Sequence, residues 1–91
     1  MSSRKIDGVR FCVNSNDHPP RHVHAQIGDS RIIIDLKESG GVDLADRKDR
    51  VTPNAKKSEV RKALKLAAAN FKVLTELWEK THGRLKSAND R

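Results

Sequence analysis

Val9-Arg10-Phe11-Cys12-Val13, and further on Val23-His24-Ala25-Gln26-Ile27-Gly28-Asp29-Ser30-Arg31-Ile32-Ile33-Ile34-Asp35-Leu36, carry the pattern that sets the fold. Val9, Phe11 and Val13 alternate with Arg10, Cys12 and Asn14, the period of two expected of a half-buried strand. Val23, Ala25 and Ile27 repeat that alternation, which puts His22, His24 and Gln26 on the opposite face. Gly28-Asp29-Ser30 predicts a turn, and the β-branched run 31–36 a strand that closes a hairpin with 23–27. Gly40-Gly41 supplies another turn, Val42 to Leu44 fits a short edge strand, and 46–50 reads as a charged connector.

The second half has a helical period. Val60, Leu64, Ala67, Phe71, Leu74 and Trp78 recur every three or four residues. On a helical wheel they fall within roughly 80° of one another, one apolar stripe suited to covering a sheet. Thr52-Pro53 and Ser58-Glu59 are two candidate helix starts, and a break near Asn70 would divide the stripe between two helices. Leu66, Val73 and Leu77 flank the stripe, with room for a second copy or a partner protein. Glu76 and Lys80 form a favourable i,i+4 pair, and His82 with Gly83 suits a helix end, His82 as a helix-end cation. The expectation is an α+β domain spanning 1–91, with a strand-rich half at 6–45 forming three or four mostly antiparallel strands. A long helix or a broken helix pair at 52–83 covers the sheet, and a loose tail occupies 84–91.

Ninety-one residues support one modest core. With 35% of residues apolar and 34% charged, that core is thin, so association with a partner or a second copy would bury useful surface. A lone cysteine, Cys12, excludes an intrachain disulfide and suits a reducing compartment, where it serves as a small strand residue. No apolar run approaches the roughly 20 residues of a membrane span, and no signal-peptide pattern opens the chain, so a cytoplasmic protein without membrane partners is expected. Residues 1–45 hold six basic and six acidic side chains, whereas 46–91 hold thirteen and six, so the whole net charge of +7 lies in the second half. Such a field draws polyanions. Lys57, Arg61, Lys65 and Lys72 fall on the side of the helical wheel away from the stripe, either a phosphate-binding ridge or a solvated outer face. The aromatic residues Phe11, Phe71 and Trp78 all occupy core positions, which argues against a base-stacking sheet.

Three of the four histidines stand within seven residues around a double proline: His18, Pro19, Pro20, Arg21, His22 and His24, preceded by Asp17. Three chemistries fit. In the first, one imidazole acts as general base and another as general acid in cleaving RNA without a metal, and Arg21 steadies the phosphorane charge. In the second, His18, His22 and His24, with Asp17 as a fourth ligand, hold a divalent transition metal. In the third, the histidines serve as hydrogen-bonding groups of a turn, with Asp17 or Asn16 capping the backbone.

The decapeptide NDHPPRHVHA, Asn16 to Ala25, resembles the signature NDHPPPHxHA of a family of small bacterial proteins, domain of unknown function 4160, with Arg21 in place of a proline. The resemblance implies a strand before the motif, a strand running out of it, and a helical segment with a tryptophan near its end, here Trp78. It further implies one half of a toxin–antitoxin pair that acts on RNA or translation, neutralised by a small, acidic antitoxin-like protein. The leading expectation is therefore a basic toxin acting on RNA or the ribosome, with Asp17, His18, Arg21, His22 and His24 catalytic and Lys57, Arg61, Lys65 and Lys72 on nucleic acid. The alternative is a noncatalytic nucleic-acid- or protein-binding module in which the histidine turn is structural or binds metal.

Overall fold

The computed structural model describes residues 2–83; the expected loose tail at 84–91 lies outside the described residues. Five antiparallel strands form one sheet in which each lies beside the next in sequence: β1 (Ser2–Ile6), β2 (Val9–Val13), β3 (His22–Ile27), β4 (Ser30–Leu36) and β5 (Val42–Leu44). The expected α+β class is found, with one strand more than anticipated. Ser2–Ile6 shows no apolar alternation, because its central residues Ser3, Arg4 and Lys5 are exposed on the sheet edge. What makes it a strand is the pair Asp7-Gly8, both at positive φ (50° and 84°), which closes a two-residue hairpin with Ile6 opposite Val9. Ser30 is also strand rather than turn: Ile27 pairs with Ser30, and the connection is Gly28-Asp29 alone.

The alternation in β2, β3 and β4 becomes a core on one face. Val9, Phe11, Val13, Val23, Ala25, Ile32, Ile34 and Leu36 pack in one buried cluster with Ala63, Ala67, Leu74, Leu77 and Trp78 of the helices. Helix α1 (Lys57–Ala69) lies on β4 and β5, and α2 (Phe71–Trp78) on β1, β2 and β3, after which a π-helical turn runs over Glu79–Gly83. Asn70 divides the helices. Its backbone N–H and its side-chain Nδ2 both donate to the Leu66 carbonyl at 2.9 Å, which ends α1, and its own carbonyl accepts from Leu74, which starts α2. Val60, Leu64 and Phe71 of the expected stripe are only half-buried but pack against the core. Leu77, expected on an interface flank, belongs to that core.

Thr52-Pro53 does not start a helix. Thr52 instead extends the pairing along β4: its N–H donates to the Arg31 carbonyl at 3.1 Å, and its Oγ1 accepts from Arg31 N–H at 3.0 Å. The charged connector is a bulge in this edge. Ala45 donates to the Ile33 carbonyl and Ile33 donates to the Arg50 carbonyl, so 46–49 loop out between two points anchored on one residue. Helix α1 begins after Lys56, whose N–H donates to Glu59 Oε1 at 2.9 Å, and the same oxygen accepts from Ser30 Oγ at 2.8 Å. The Lys56 and Ser30 bonds hold the Glu59 carboxyl below its ordinary pKa of 4.5 and tie the helix start to the β3–β4 hairpin.

Leu74 is fully buried between helix and sheet. Truncation to alanine removes transfer energy and leaves a cavity, so Leu74→Ala is expected to cost about 2–5 kcal/mol in urea unfolding. Val60→Ala, at a half-buried site of the same stripe, is expected to cost clearly less; equal losses would show that the core is not placed as described.

Candidate functional site

The proline turn leaves β2 and returns as β3, and local hydrogen bonds fix its shape. Asp17 N–H donates to the Asn14 carbonyl at 3.0 Å, and Asn14 N–H donates to Asp17 Oδ2 at 2.9 Å. This reciprocal pair is the side-chain cap expected of an aspartate before a turn. The Pro19–Pro20 peptide is cis, and the Pro20 carbonyl accepts from His22 Nδ1 at 2.9 Å. Because a carbonyl only accepts, that nitrogen carries the proton, and in the neutral ring the lone pair lies on Nε2.

Asp17, His22 and His24 converge. His24 Nε2 lies 3.2 Å from Asp17 Oδ2 and 3.4 Å from Oδ1, while His22 Nε2 lies 3.7 Å from the same Oδ2. The two rings meet edge-on at 5.1 Å. Burial divides their roles: His22 is 7% exposed, whereas the side chain of His24 is 28% exposed. Burial of the Asp17 carboxyl opposes its ionisation, but the Asn14 N–H bond and the neighbouring His24 and His22 outweigh it, and its pKa falls below 3.8.

Behind the cluster lies an aromatic strap. Trp78 stands 5.4 Å from His22 and stacks on His82 at 4.0 Å. His82 Nδ1 and Nε2 face the carbonyl oxygens of Trp78 and Asp17, each at 3.1 Å. The bond to Asp17 joins the last helical turn to the motif across 65 positions of sequence.

In front lies an open cleft of about 580 Å³, lined by the turn, by Ile33 and Asp35 of β4, and by Ala45, Asp46 and Arg47 of the bulge. His18 is exposed on its wall, apart from the three-residue cluster. Arg21 lines a neighbouring cleft with Lys37 and Glu38, on the far side of Pro19 and Pro20, and its carbonyl accepts from Leu36 N–H. The guanidinium on the cleft that holds Asp17 belongs instead to Arg47, which is paired with Asp49 at 2.6 Å. Nothing in the sequence marked Arg47, since a run of alternating charges does not reveal a bulge over a sheet face. Cys12 is half-buried and sits opposite His24 across the β2–β3 pair. Lys57, Arg61, Lys65 and Lys72 are all exposed, the first three on α1 and Lys72 past the break on α2. Arg61 and Lys65 border a shallow groove floored by Leu66 and Ala69.

A five-stranded meander under two helices, with a histidine–carboxylate cluster at its proline turn, defines a small α+β protein. The chain belongs to the family described as Domain of unknown function (DUF4160), whose model matches residues 8–79. No curated protein and no solved structure matches it. Among the described residues no helix is long and apolar enough to cross a membrane.

A carboxyl whose pKa is lower folded than unfolded contributes stability above its unfolded value and loses it as pH falls through its folded value. Asp17→Asn is therefore expected to lose about 1–3 kcal/mol at pH 7. Because the wild type loses this same contribution on acidification, the gap should narrow below pH 3.8. Urea unfolding at pH 7 and pH 3 checks this; a gap independent of pH would deny the carboxylate its role.

Proposed function

We propose that this protein acts on RNA as the toxin half of a toxin–antitoxin pair, and that the phosphodiester is cut at the cleft beside Asp17, His22 and His24. The observation that carries the reading is the convergence of two imidazoles on one ionised carboxylate at an accessible wall. Such a group concentrates lone pairs and negative charge where a hydroxyl or water can be deprotonated. In this reading His18, exposed on the wall, would meet a phosphate oxygen. The exposed cations of α1, on the helical side of the sheet, would offer a second surface to the same polyanion, in keeping with a net charge of +7. A cytoplasmic location and neutralisation by a small acidic protein complete the proposal, the latter because a basic helix face is complementary to an acidic surface.

Induced expression in bacteria tests the reactive centre. The wild type is expected to arrest growth and fragment RNA, and His24→Ala to abolish both while remaining folded and soluble. Arrest unchanged in folded His24→Ala would remove the cluster from the activity. Charge reversal tests the helix separately: Arg61→Glu with Lys65→Glu is expected to weaken binding to single-stranded RNA and to lower the slope of log affinity against log salt by about 0.7 per lost phosphate contact. An unaltered slope would make the ridge a solvated surface only.

A further inference from the structure

Nε2 of His22 is buried and has no hydrogen-bond partner, and it faces a carboxylate oxygen. With Nδ1 engaged by Pro20, Nε2 is the ring nitrogen left to bind, and at 3.7 Å from Asp17 Oδ2 it lies beyond hydrogen-bond distance. His24 Nε2 approaches the same oxygen at 3.2 Å, and the three ligand atoms lie within 4.8 Å of one another. Tetrahedral coordination with bonds of about 2.1 Å sets ligand atoms about 3.4 Å apart. The two carboxylate–imidazole distances bracket that spacing.

Electrostatics agrees with the geometry. The cleft is lined by three carboxylates, Asp17, Asp35 and Asp46, against the single guanidinium of Arg47, which Asp49 already pairs. On a basic protein this is an acidic recess, and it attracts a cation before it attracts a phosphate. We infer that Asp17, His22 and His24 hold one divalent transition-metal ion of the zinc class through two Nε2 atoms and one carboxylate oxygen.

Imidazole ligands select this class over magnesium or calcium, which prefer oxygen. Three protein ligands leave a position open, and the cleft beside Asp17 and His22 gives water or substrate access to it. The supporting bonds are those expected around such a site: the Pro20 carbonyl fixes the His22 tautomer, and Asn14 N–H steadies the carboxylate. Asp17, and not His18, completes the set, because His18 stays on the wall. The inference deepens the RNA-cutting reading and rests on it only for the ion's task. Phosphate is repelled by the carboxylates of the cleft, and a bound ion reverses that charge and takes a phosphate oxygen as ligand.

The experiment is calorimetric titration of the chelator-stripped full chain with Zn²⁺, with Mg²⁺ in parallel and Co²⁺ to read coordination by visible absorption. The wild type is expected to bind one Zn²⁺ per chain in preference to Mg²⁺. His24→Ala and Asp17→Asn are expected to lose about 100-fold or more in affinity, while His18→Ala keeps it. Affinity should weaken as the pH is lowered, because the ligands bind deprotonated. His24 is half-exposed, so its alanine variant tests the site even if replacing buried His22 disrupts folding. Zn²⁺ binding of equal strength in the wild type and folded His24→Ala, or no binding at all, overturns the site. Specific Zn²⁺ binding by a protein that leaves RNA intact upholds the site and removes the RNA reading. RNA cutting that persists in chelator removes the ion from that reaction.

Discussion

Strand β3 sends Val23 and Ala25 into the core and His24 to the opposite face, and neither direction can change without the other. The apolar pair lies opposite Ile34 and Ile32 of β4, so the register that fills the core also sets His24 beside Ile33. A slip of one residue would bury the histidine under the helices and expose the valine. The helices lie on the Val23 side, and the bulge at 46–49 overhangs the other, which is how one strand serves both as core and as wall of a site.

The turn before β3 adds the third member of the cluster. Asp17 reaches the histidines because its side chain closes a tight turn onto Asn14, and its backbone carbonyl is held by His82 from the far end of the described chain. Trp78 fills the space between His82 and His22. The end of the helical layer therefore acts on the site through packing, and the burial of His22 is a product of tertiary closure.

Charge is divided between two surfaces. The exposed face of α1 carries Lys57, Arg61 and Lys65, whereas the cleft carries more carboxylates than guanidinium groups. The basic face lies on the helical side of the sheet and the acidic recess on the other, so the two surfaces are separated by the sheet itself.

Local periodicity by itself determined the α+β class, the β2, β3 and β4 faces, the break at Asn70 and the clustering of histidines near Asp17, because each depends on residues within a few positions of one another. The edge strand β1 escaped notice because an exposed edge needs no apolar alternation, although Asp7-Gly8 carried its turn. Tertiary structure alone decided that Asp17 joins His22 and His24, that His18 stays on the cleft wall outside that cluster, that Arg21 lines the neighbouring cleft, that Arg47 enters the cleft, and that Thr52 pairs with Arg31 instead of starting a helix. Each of these requires segments distant in sequence to meet, and the orientation of a side chain after a turn is set by the hydrogen bonds and packing it finds there, which no local period encodes.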